Sequence, residues 1–458
     1  MKVIICGAGQ VGANIARYLA TENNNVTVID QSPELIQKLS DQLDVQAIVG
    51  HASLPPVLEQ AGGAAADMVI AVTQSDEVNM VACQVAHSLF SVPTKIARVR
   101  NQAYLQPLWA DLYSRENMPI DVIISPEIEV AKAIARRLQV PGAFDMIPFA
   151  DGLVRLIGVI CTEECPIIHT PLRQLTGLFP DLNIEVMAIV RGDRPIIPDA
   201  NDQMLPGDEV YFVAETSHVA RAMAAFGHEE PEARRVAIIG GGNIGLVLAE
   251  QIEASHPGLS VRIIEGNRDR AEQIARQLAR TTVLYGDGLD PELLEEANIS
   301  STEVVVAVTN DDEANILASL LAKRYGAQRA ITLINKTTYN PLMSGLGIDA
   351  VVSPRAITAS TILQHVRRGR IKAVHSLRDG FAEVIEAEAL ETSPLIGHPI
   401  RDISLPSDVI IGAIVRDGTV TIARPSTVVR PHDRVILLAG ARSVKKIERL
   451  FAVRLEFF

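Results

Sequence analysis

The sequence predicts an α/β protein with two Rossmann-like, doubly wound parallel sheets, each followed by a small α+β domain. Three observations lead to this prediction: glycine-rich turns at Gly7–Gly12 and Gly240–Gly245, an internal duplication, and an alternation of short β-branched runs with helical stretches. The composition agrees, because 48% of the 458 residues are hydrophobic and only 4% are aromatic. Aliphatic side chains must fill the cores, as in parallel sheets covered by helices on both faces.

The duplication is visible as a series of matching segments that recur in the same order. Ala71–Met80 and Ala307–Ile316 share six of ten positions, and Ala188–Arg191 is identical to Ala413–Arg416. Because the order is kept along the whole chain, chance does not explain the matches, and one repeat predicts the fold of the other.

Each repeat contains a Rossmann-like domain, a helix and a strand-rich small domain, and a polar segment joins the two repeats. The predicted boundaries are 1–124 for the first Rossmann-like domain, 125–142 for its crossover helix, 143–228 for the small domain, 229–234 for the linker, and 235–352, 353–369 and 370–456 for the corresponding parts of the second repeat.

The helix predicted from Pro126 has Ser125 as its N-cap and a proline in its first turn. Its apolar stripe consists of Ile128, Ala131, Ala135 and Leu138. This stripe must pack against another element, and two partners are compatible with the spacing. The helix either covers its own sheet or crosses over to bridge two subunits.

The glycine turns have the spacing of a dinucleotide-binding fingerprint. In the first copy, Gly7 permits the tight strand-to-helix turn, Gly9 leaves room for a pyrophosphate, and Gly12 lets the helix pack closely on the sheet. The helix N-terminus supplies amide donors and a partial positive charge for the phosphates. The turn follows a predicted strand and opens a predicted helix, which strengthens the assignment.

An acidic residue ends the second predicted strand of each repeat, Asp30 in the first and Glu265 in the second. A carboxylate there accepts hydrogen bonds from both ribose hydroxyls and repels a 2′-phosphate, so the pattern favours NAD over NADP. The loops after the fourth strands lie at the same edge of the sheet. The predicted cofactor-binding residues are Gly7, Ala8, Gly9, Gln10, Val11, Gly12, Asp30, Thr73, Gln74 and Arg98 in the first repeat and Gly240, Gly241, Gly242, Asn243, Ile244, Gly245, Glu265, Thr309 and Asn310 in the second.

Arg98 ends the fifth predicted strand of the first repeat and is a candidate anion clamp for the phosphates. Alignment of the repeats places Thr332 at the matching position. This difference predicts two unequal sites that differ in ligand or in affinity.

Charge and hydropathy restrict the partners. The formal net charge of −13 argues against nucleic-acid binding, which requires a basic surface. No apolar run of about 18 residues is present, so the sequence predicts no membrane span. The four cysteines do not form a disulfide framework, and no cluster predicts a metal site.

Two nucleotide-binding units, each ending in Ile-Asp and Ser-Pro pairs (Ile120, Asp121, Ser125 and Pro126 in the first repeat) and each followed by a small domain, resemble tandem regulator-of-potassium-conductance (RCK) domains. Over essentially its whole length the chain resembles the TrkA family, the peripheral subunits of bacterial Trk potassium uptake systems. The resemblance implies NAD or NADH as ligand, with ATP or ADP as alternatives. It also implies a membrane potassium transporter as partner, a homo-oligomer arranged as a dimer of dimers, and a location on the cytoplasmic face of the inner membrane.

An NAD-dependent oxidoreductase is the alternative function. Such an enzyme needs a substrate domain with a proton-transferring residue, but the small domains are short and similar to each other, and His169 and His398 have no counterparts in the other repeat. We therefore predict a regulator rather than an enzyme. A scaffold with vestigial sites is a third hypothesis, and it fits the second copy better than the first.

Overall fold

The computed structural model describes residues 1–21, 24–179, 181–192, 194–230, 232–343, 345–366, 371–377 and 380–451. These residues form two compact units. The first consists of Met1–Val130 and Ser353–Val366, and the second contains the remainder of the described chain. The predicted boundary at 369–370 and the predicted end of the last domain at 456 lie outside the described residues.

The first unit is built on a six-stranded parallel sheet of order β3-β2-β1-β4-β5-β6. The order reverses between β1 and β4, which places a ligand crevice at the carboxyl ends of these two strands. Its elements are β1 Lys2–Cys6, α1 Gln10–Thr21, β2 Asn25–Asp30, α2 Pro33–Gln42, β3 Gln46–Val49, α3 Pro55–Gln60, β4 Met68–Ala71, α4 Asp76–Phe90, β5 Thr94–Arg98 and β6 Val122–Ile124.

Helix α5 (Pro126–Leu138) leads into the small domain of the first repeat. This domain has a five-stranded antiparallel sheet of order β10-β9-β11-β8-β7. Its elements are β7 Ala143–Phe149, β8 Val154–Ile160, α6 Leu172–Leu178, β9 Ile184–Arg191, β10 Arg194–Ile196, β11 Glu209–Glu215 and α7 Val219–Ala225.

The second Rossmann-like domain repeats the first, with a parallel sheet of order β14-β13-β12-β15-β16-β17. Its elements are β12 Arg235–Ile239, α8 Asn243–Ser255, β13 Ser260–Glu265, α9 Arg268–Gln277, β14 Thr282–Tyr285, α10 Pro291–Glu296, β15 Val304–Ala307, α11 Asp312–Arg324, β16 Arg329–Leu333, α12 Asn340–Met343 and β17 Ala350–Val352.

Helix α13 (Pro354–Val366) precedes the second small domain, an antiparallel sheet of order β18-β19-β22-β20-β21. The elements of this domain are β18 Ile371–Leu377, β19 Ala382–Glu388, β20 Val409–Arg416, β21 Thr419–Ile422, β22 Arg434–Gly440 and α14 Val444–Leu450. The two parallel sheets with their antiparallel small domains confirm the predicted fold class.

Helix α13 belongs to the second repeat but packs on the Rossmann-like domain of the first. Its Ile362 and Leu363 are buried in the same core as Ile15 and Leu19 of α1, and the helix also contacts β6. The apolar stripe of this crossover helix is therefore covered by the other repeat of the same chain. The two partners left open for the stripe of α5, its own sheet and a second subunit, concern the other crossover helix and stay predictions.

The two small sheets pack face to face within the second unit. One core combines Phe149 and Leu156 of the first small domain with Val384 and Leu438 of the second. A Cβ atom on Gly412 of β20 would lie 2.6 Å from the sulfur of Met187 and 2.7 Å from Cγ2 of Val213, so a side chain there would force these neighbours to shift. The two small domains of one chain therefore pack against each other, and α13 packs on the Rossmann-like domain of the other repeat in the same chain.

Among the described residues, none of the helices combines the length and the apolar character needed to cross a membrane.

Candidate nucleotide-binding sites

Both glycine turns have a backbone that only glycine tolerates. Gly7 has a φ of +113° and Gly240 a φ of +107°, in the region that L side chains rarely adopt. A Cβ on Gly12 would lie 1.8 Å from the carbonyl oxygen of Gly7, and one on Gly245 would lie 2.0 Å from that of Gly240. The first and third glycines are therefore needed to close the turn, whether or not a ligand is bound.

The middle glycine is different, because the protein leaves open space beside it. A Cβ on Gly9 or on Gly242 would meet no atom within 4 Å. Packing therefore does not require glycine here. The free space lies beside the N-terminal ends of α1 and α8, which begin at Gln10 and Asn243. A pyrophosphate fits such a cradle, since it needs close backbone approach and N–H donors.

In the first repeat, the predicted ribose acid is held beside the glycine turn. The Asp30 carboxylate accepts hydrogen bonds from the backbone N–H groups of Ala8 (2.7 Å) and Ser32 (2.9 Å). These two bonds fix the carboxylate at the end of β2. Each oxygen retains lone-pair capacity for a ribose hydroxyl.

The second repeat reproduces this geometry with a longer side chain. Glu265 accepts hydrogen bonds from the N–H groups of Gly241 and Asn267, both at 2.7 Å. The carboxylate again joins the turn to the start of the next helix. The structure thus brings each predicted acid to its own glycine turn.

A buried asparagine, Asn79, holds the loop after β4 in place, and it was not among the predicted site residues. Asn79 is fully buried, and its side-chain oxygen accepts from the N–H (2.8 Å) and the hydroxyl (2.7 Å) of Thr73. Its amide group donates to the carbonyl of Arg98 at 2.9 Å. Asn79 therefore connects the carboxyl ends of β4 and β5. Gln74 lies in the same loop.

The second copy has the same arrangement. The side-chain oxygen of Asn315 accepts from the N–H and the hydroxyl of Thr309 at 2.8 and 2.7 Å, and its amide donates to the carbonyl of Leu333 at 3.0 Å. The signal was present in the sequence, because both asparagines occupy the same place in the decapeptide shared by the repeats.

The Arg98 side chain reaches the crevice of the first site. Its Nη2 donates to the carbonyl of Thr73 at 2.7 Å, and its buried Nε has no hydrogen-bond partner among the described residues. Burial lowers the pKa of Arg98, and the nearby charge of Arg100 lowers it further. A half-buried cation with an unused donor at this edge of the sheet is suited to bind an anion.

Thr332 is not the counterpart of Arg98, so that alignment was wrong by one residue. The strand register pairs Ala97 with the last residue of β4, and it pairs Thr332 with the last residue of β15. Thr332 therefore corresponds to Ala97, and the buried Leu333 corresponds to Arg98. A one-residue slip places a side chain on the opposite face of a sheet, which local similarity did not reveal. The second copy still lacks this arginine.

The second site opens into a cleft of about 1040 Å³. The lining residues come from the glycine turn, the junction of β13 and α9, the end of β14 and the loop after β15. They include the predicted residues Gly240, Gly242, Glu265, Thr309 and Asn310. Arg270 and Tyr285, which the sequence did not predict as site residues, also line the cleft. Arg270 donates from Nε to the carbonyl of Gly241 at 2.9 Å, beside the turn.

The remaining predicted residues of the turns lie where α1 and α8 begin. Val11 is buried beneath the first turn, whereas Gln10 is exposed. Asn243 Oδ1 lies 3.5 Å from Nη2 of Arg270, and Ile244 is the next residue of α8. The second turn therefore has a cation close to its helix N-terminus.

Two doubly wound sheets with these turns and carboxylates, each with a small antiparallel domain, define a tandem pair of nucleotide-binding domains of the regulatory type. The TrkA-N domain family matches residues 3–126 and 236–354, and the TrkA-C domain family matches residues 156–227 and 384–452. The chain belongs to the TrkA family, as the resemblance of its sequence predicted.

Similar curated proteins align over the full length. The Trk system potassium uptake protein TrkA of Azorhizobium caulinodans is 55% identical over 458 residues, covering 100% of both chains. The protein of the same name from Halomonas elongata is 46% identical over 462 residues, again covering 100% of both. This family consists of regulatory subunits and not of enzymes, so the predicted absence of catalysis is confirmed and the oxidoreductase alternative is set aside.

Solved structures agree in fold. The chain is similar to the GsuK RCK domain, with a TM-score of 0.59 and 19% identity over 99% of this chain and 95% of that one. It is also similar to the GsuK channel bound to NAD, with a TM-score of 0.57 and 19% identity over 99% of this chain and 79% of that one. At this identity the likeness concerns the fold.

Proposed function

We propose that the chain is the nucleotide-sensing regulatory subunit of a Trk-type potassium uptake system. In this proposal it binds NAD(H) or an adenine nucleotide at its glycine turns and controls the opening of a membrane potassium transporter. One observation carries the proposal: both copies have an open turn with its carboxylate already in place, in a chain that aligns end to end with Trk system potassium uptake proteins.

The first site has the groups that a dinucleotide requires. The amides at the start of α1 and the space beside Gly9 would hold the pyrophosphate, and Asp30 would accept from the ribose hydroxyls of the adenosine half. Arg98 would supply a cation on the β4–β5 side of the turn. In a regulatory protein the bound nucleotide acts as a signal and undergoes no reaction.

A nucleotide can control a partner only if it binds two conformations with different affinity. Arg98 provides such a difference if it reaches the phosphates in one conformation and remains on the carbonyl of Thr73 in the other. The orphan Nε of Arg98 supports this role, because a buried donor without a partner gains most from a ligand. The resulting movement would be transmitted to the transporter.

We further propose a homo-oligomer, arranged as a dimer of dimers, attached to the cytoplasmic side of the membrane by its transporter partner. Each Rossmann-like domain exposes large apolar side chains between its fifth and sixth strands. They are Leu108 (76% exposed) and Trp109 (53%) in the first copy and Leu342 (56%) and Leu346 (45%) in the second. Exposed apolar side chains in the same segment of both copies support association through this part of the fold.

The test is reconstitution of the chain with the membrane subunit of a Trk system in potassium-loaded vesicles. We expect co-purification of the two proteins and a potassium flux that changes when NAD+, NADH, ATP or ADP is added. No association and no nucleotide effect on the flux would reject the proposal. Incubation of the chain with NADH and a panel of metabolites should leave the nicotinamide absorbance unchanged.

A further inference from the structure

The second site has two ligand-facing groups that are absent from the first. Arg270 and Tyr285 both line the cleft, and Tyr285 is 59% exposed. The guanidinium group lies over the glycine turn, with Nε on the carbonyl of Gly241 and Nη1 3.1 Å from Oε1 of Gln273. Nη2 is 3.5 Å from Asn243, at the limit of a hydrogen bond, so this end of the guanidinium is available to a phosphate oxygen.

Arg270 and Tyr285 lie on the same half of the second Rossmann-like domain, the half formed by β12, β13 and β14. A dinucleotide extends across the switch point of a Rossmann fold, with its adenosine part on the half formed by the first three strands. Tyr285 ends β14 and Arg270 lies in the first turn of α9, so both belong to that half of the second domain. The described residues that line the cleft come from β12–α9, the end of β14 and the loop after β15.

The first site has different residues at the corresponding positions. Ser32 and Asn267 are the N-caps of α2 and α9, and three residues later the first copy has Leu35 where the second has Arg270. Strand pairing matches Asp30 with Val49 and Glu265 with Tyr285, so Val49 takes the place of the tyrosine. The cation of the first site, Arg98, lies on β5, in the other half of its sheet.

We propose that the second site recognises adenosine phosphates, with ADP as the representative ligand, and gains little from a nicotinamide half. The Tyr285 ring stacks on the adenine, Glu265 accepts from the ribose hydroxyls, and Arg270 binds the phosphates beside the turn. The first site, with Arg98 on the far side of its turn, is the dinucleotide site. This inference rests on the proposed function, since it assumes that both turns bind nucleotides.

The experiment is calorimetric titration of the full chain with ADP and with NAD+. The Asp30→Ala background weakens the first site and leaves the second as the main source of heat. In that background we expect ADP to bind at least as tightly as NAD+. Addition of Arg270→Leu or Tyr285→Val should each weaken ADP binding about tenfold, because each removes one strong ligand contact.

The matched control is Arg276→Leu, an arginine on the same helix whose side chain is 80% exposed and does not line the cleft. It should leave ADP binding unchanged. Arg270→Leu also removes the hydrogen bond to the carbonyl of Gly241, so Tyr285→Val, which keeps that bond, tests the site without this change. The reciprocal variant Leu35→Arg/Val49→Tyr should raise the affinity of the first site for ADP relative to NAD+.

Tighter binding of NAD+ than of ADP at the second site would overturn the inference, as would ADP affinities unaffected by both Arg270→Leu and Tyr285→Val. In either case the proposed function would stand, because nucleotide would still bind. If the unsubstituted chain bound none of ADP, ATP, NAD+ and NADH, the proposed function would fail together with the inference. The titration of the unsubstituted chain therefore separates the two failures.

Discussion

The two proposed nucleotide sites share one backbone frame but differ in the charged groups around it. Both have a glycine turn at positive φ, a carboxylate hydrogen-bonded to that turn, and a buried asparagine below the neighbouring loop. Their arginines lie on opposite sides of the turn, with Arg98 on β5 in the first copy and Arg270 on α9 in the second. The frame is thus common to the repeats, and the position of the arginine beside the turn is specific to each.

The backbone frame is the same in both repeats because the side chains that hold it are buried. Asn79 and Asn315 have no exposed surface, and each satisfies backbone groups of two strand ends. A change there leaves buried polar groups unpaired, which costs free energy whatever the ligand. Leu35 is partly exposed to solvent, so its position can accept another residue without repacking a core. Duplicated sites therefore diverge most easily where side chains face the ligand.

The largest effect is expected from the third glycine of each turn. In Gly12→Val or Gly245→Val a side chain would collide with the backbone of the first glycine, so the altered site should lose at least about a hundredfold in nucleotide affinity. Calorimetry with NAD+ and ADP measures the loss. Gly9→Ala is the control for turn closure, since its Cβ meets no protein atom and thermal unfolding should stay unchanged. Unchanged binding at the altered site would contradict the requirement for glycine at this position of the turn.

The buried asparagines should contribute equally to stability. Asn79→Ala and Asn315→Ala should each lower the free energy of unfolding by about 1–3 kcal/mol, because each leaves buried backbone groups unpaired. Denaturant titration measures the difference. Asn117→Ala, at an exposed asparagine that also donates to a backbone carbonyl, should change stability by less than about 0.5 kcal/mol. A clear difference between Asn79→Ala and Asn315→Ala would show that the frames are not equivalent.

Substitution of either proposed ribose-binding acid should weaken nucleotide binding, at the first site for Asp30 and at the second for Glu265. Asp30→Ala should weaken NAD(H) binding at the first site about tenfold, and Glu265→Ala should weaken nucleotide binding at the second site to a similar extent, because each removes charge-assisted hydrogen bonds. Titration of the full chain with each nucleotide measures both. The Asp30→Asn variant keeps one acceptor and should lose less. Wild-type NAD(H) affinity in Asp30→Ala would contradict the ribose contact.

The smallest effect is expected from exchanging the residues at the end of the fifth strand, where the two sites differ. Arg98→Leu gives the first site the leucine that the second site has at the corresponding position, Leu333. We expect this variant to bind dinucleotide about fivefold more weakly, because it loses a cation beside the phosphates. The response of the potassium flux to nucleotide should also be smaller. Leu333→Arg places the arginine in the second site and should raise its affinity for NAD+. If Arg98→Leu changed neither affinity nor transport, the difference between the sites would not depend on this arginine.

The sequence by itself determined the fold class, the duplication and the two turns with their acids. These features depend on short-range patterns, because glycine spacing and the alternation of strand and helix follow from backbone sterics and side-chain period. It also indicated the family, because the motifs extend over both repeats. Asn79 and Asn315 could have been found in the same way, since they occupy a shared decapeptide.

The tertiary structure decided which side chains meet. It placed Arg270 and Tyr285 in one cleft. The strand register also showed that Leu333, and not Thr332, corresponds to Arg98. Finally, the tertiary structure packed α13 on the sheet of the other repeat. These results depend on strand order, register and the packing of apolar stripes, which bring together residues far apart in the chain. An apolar stripe specifies that a helix must be covered, but it does not specify which sheet covers it.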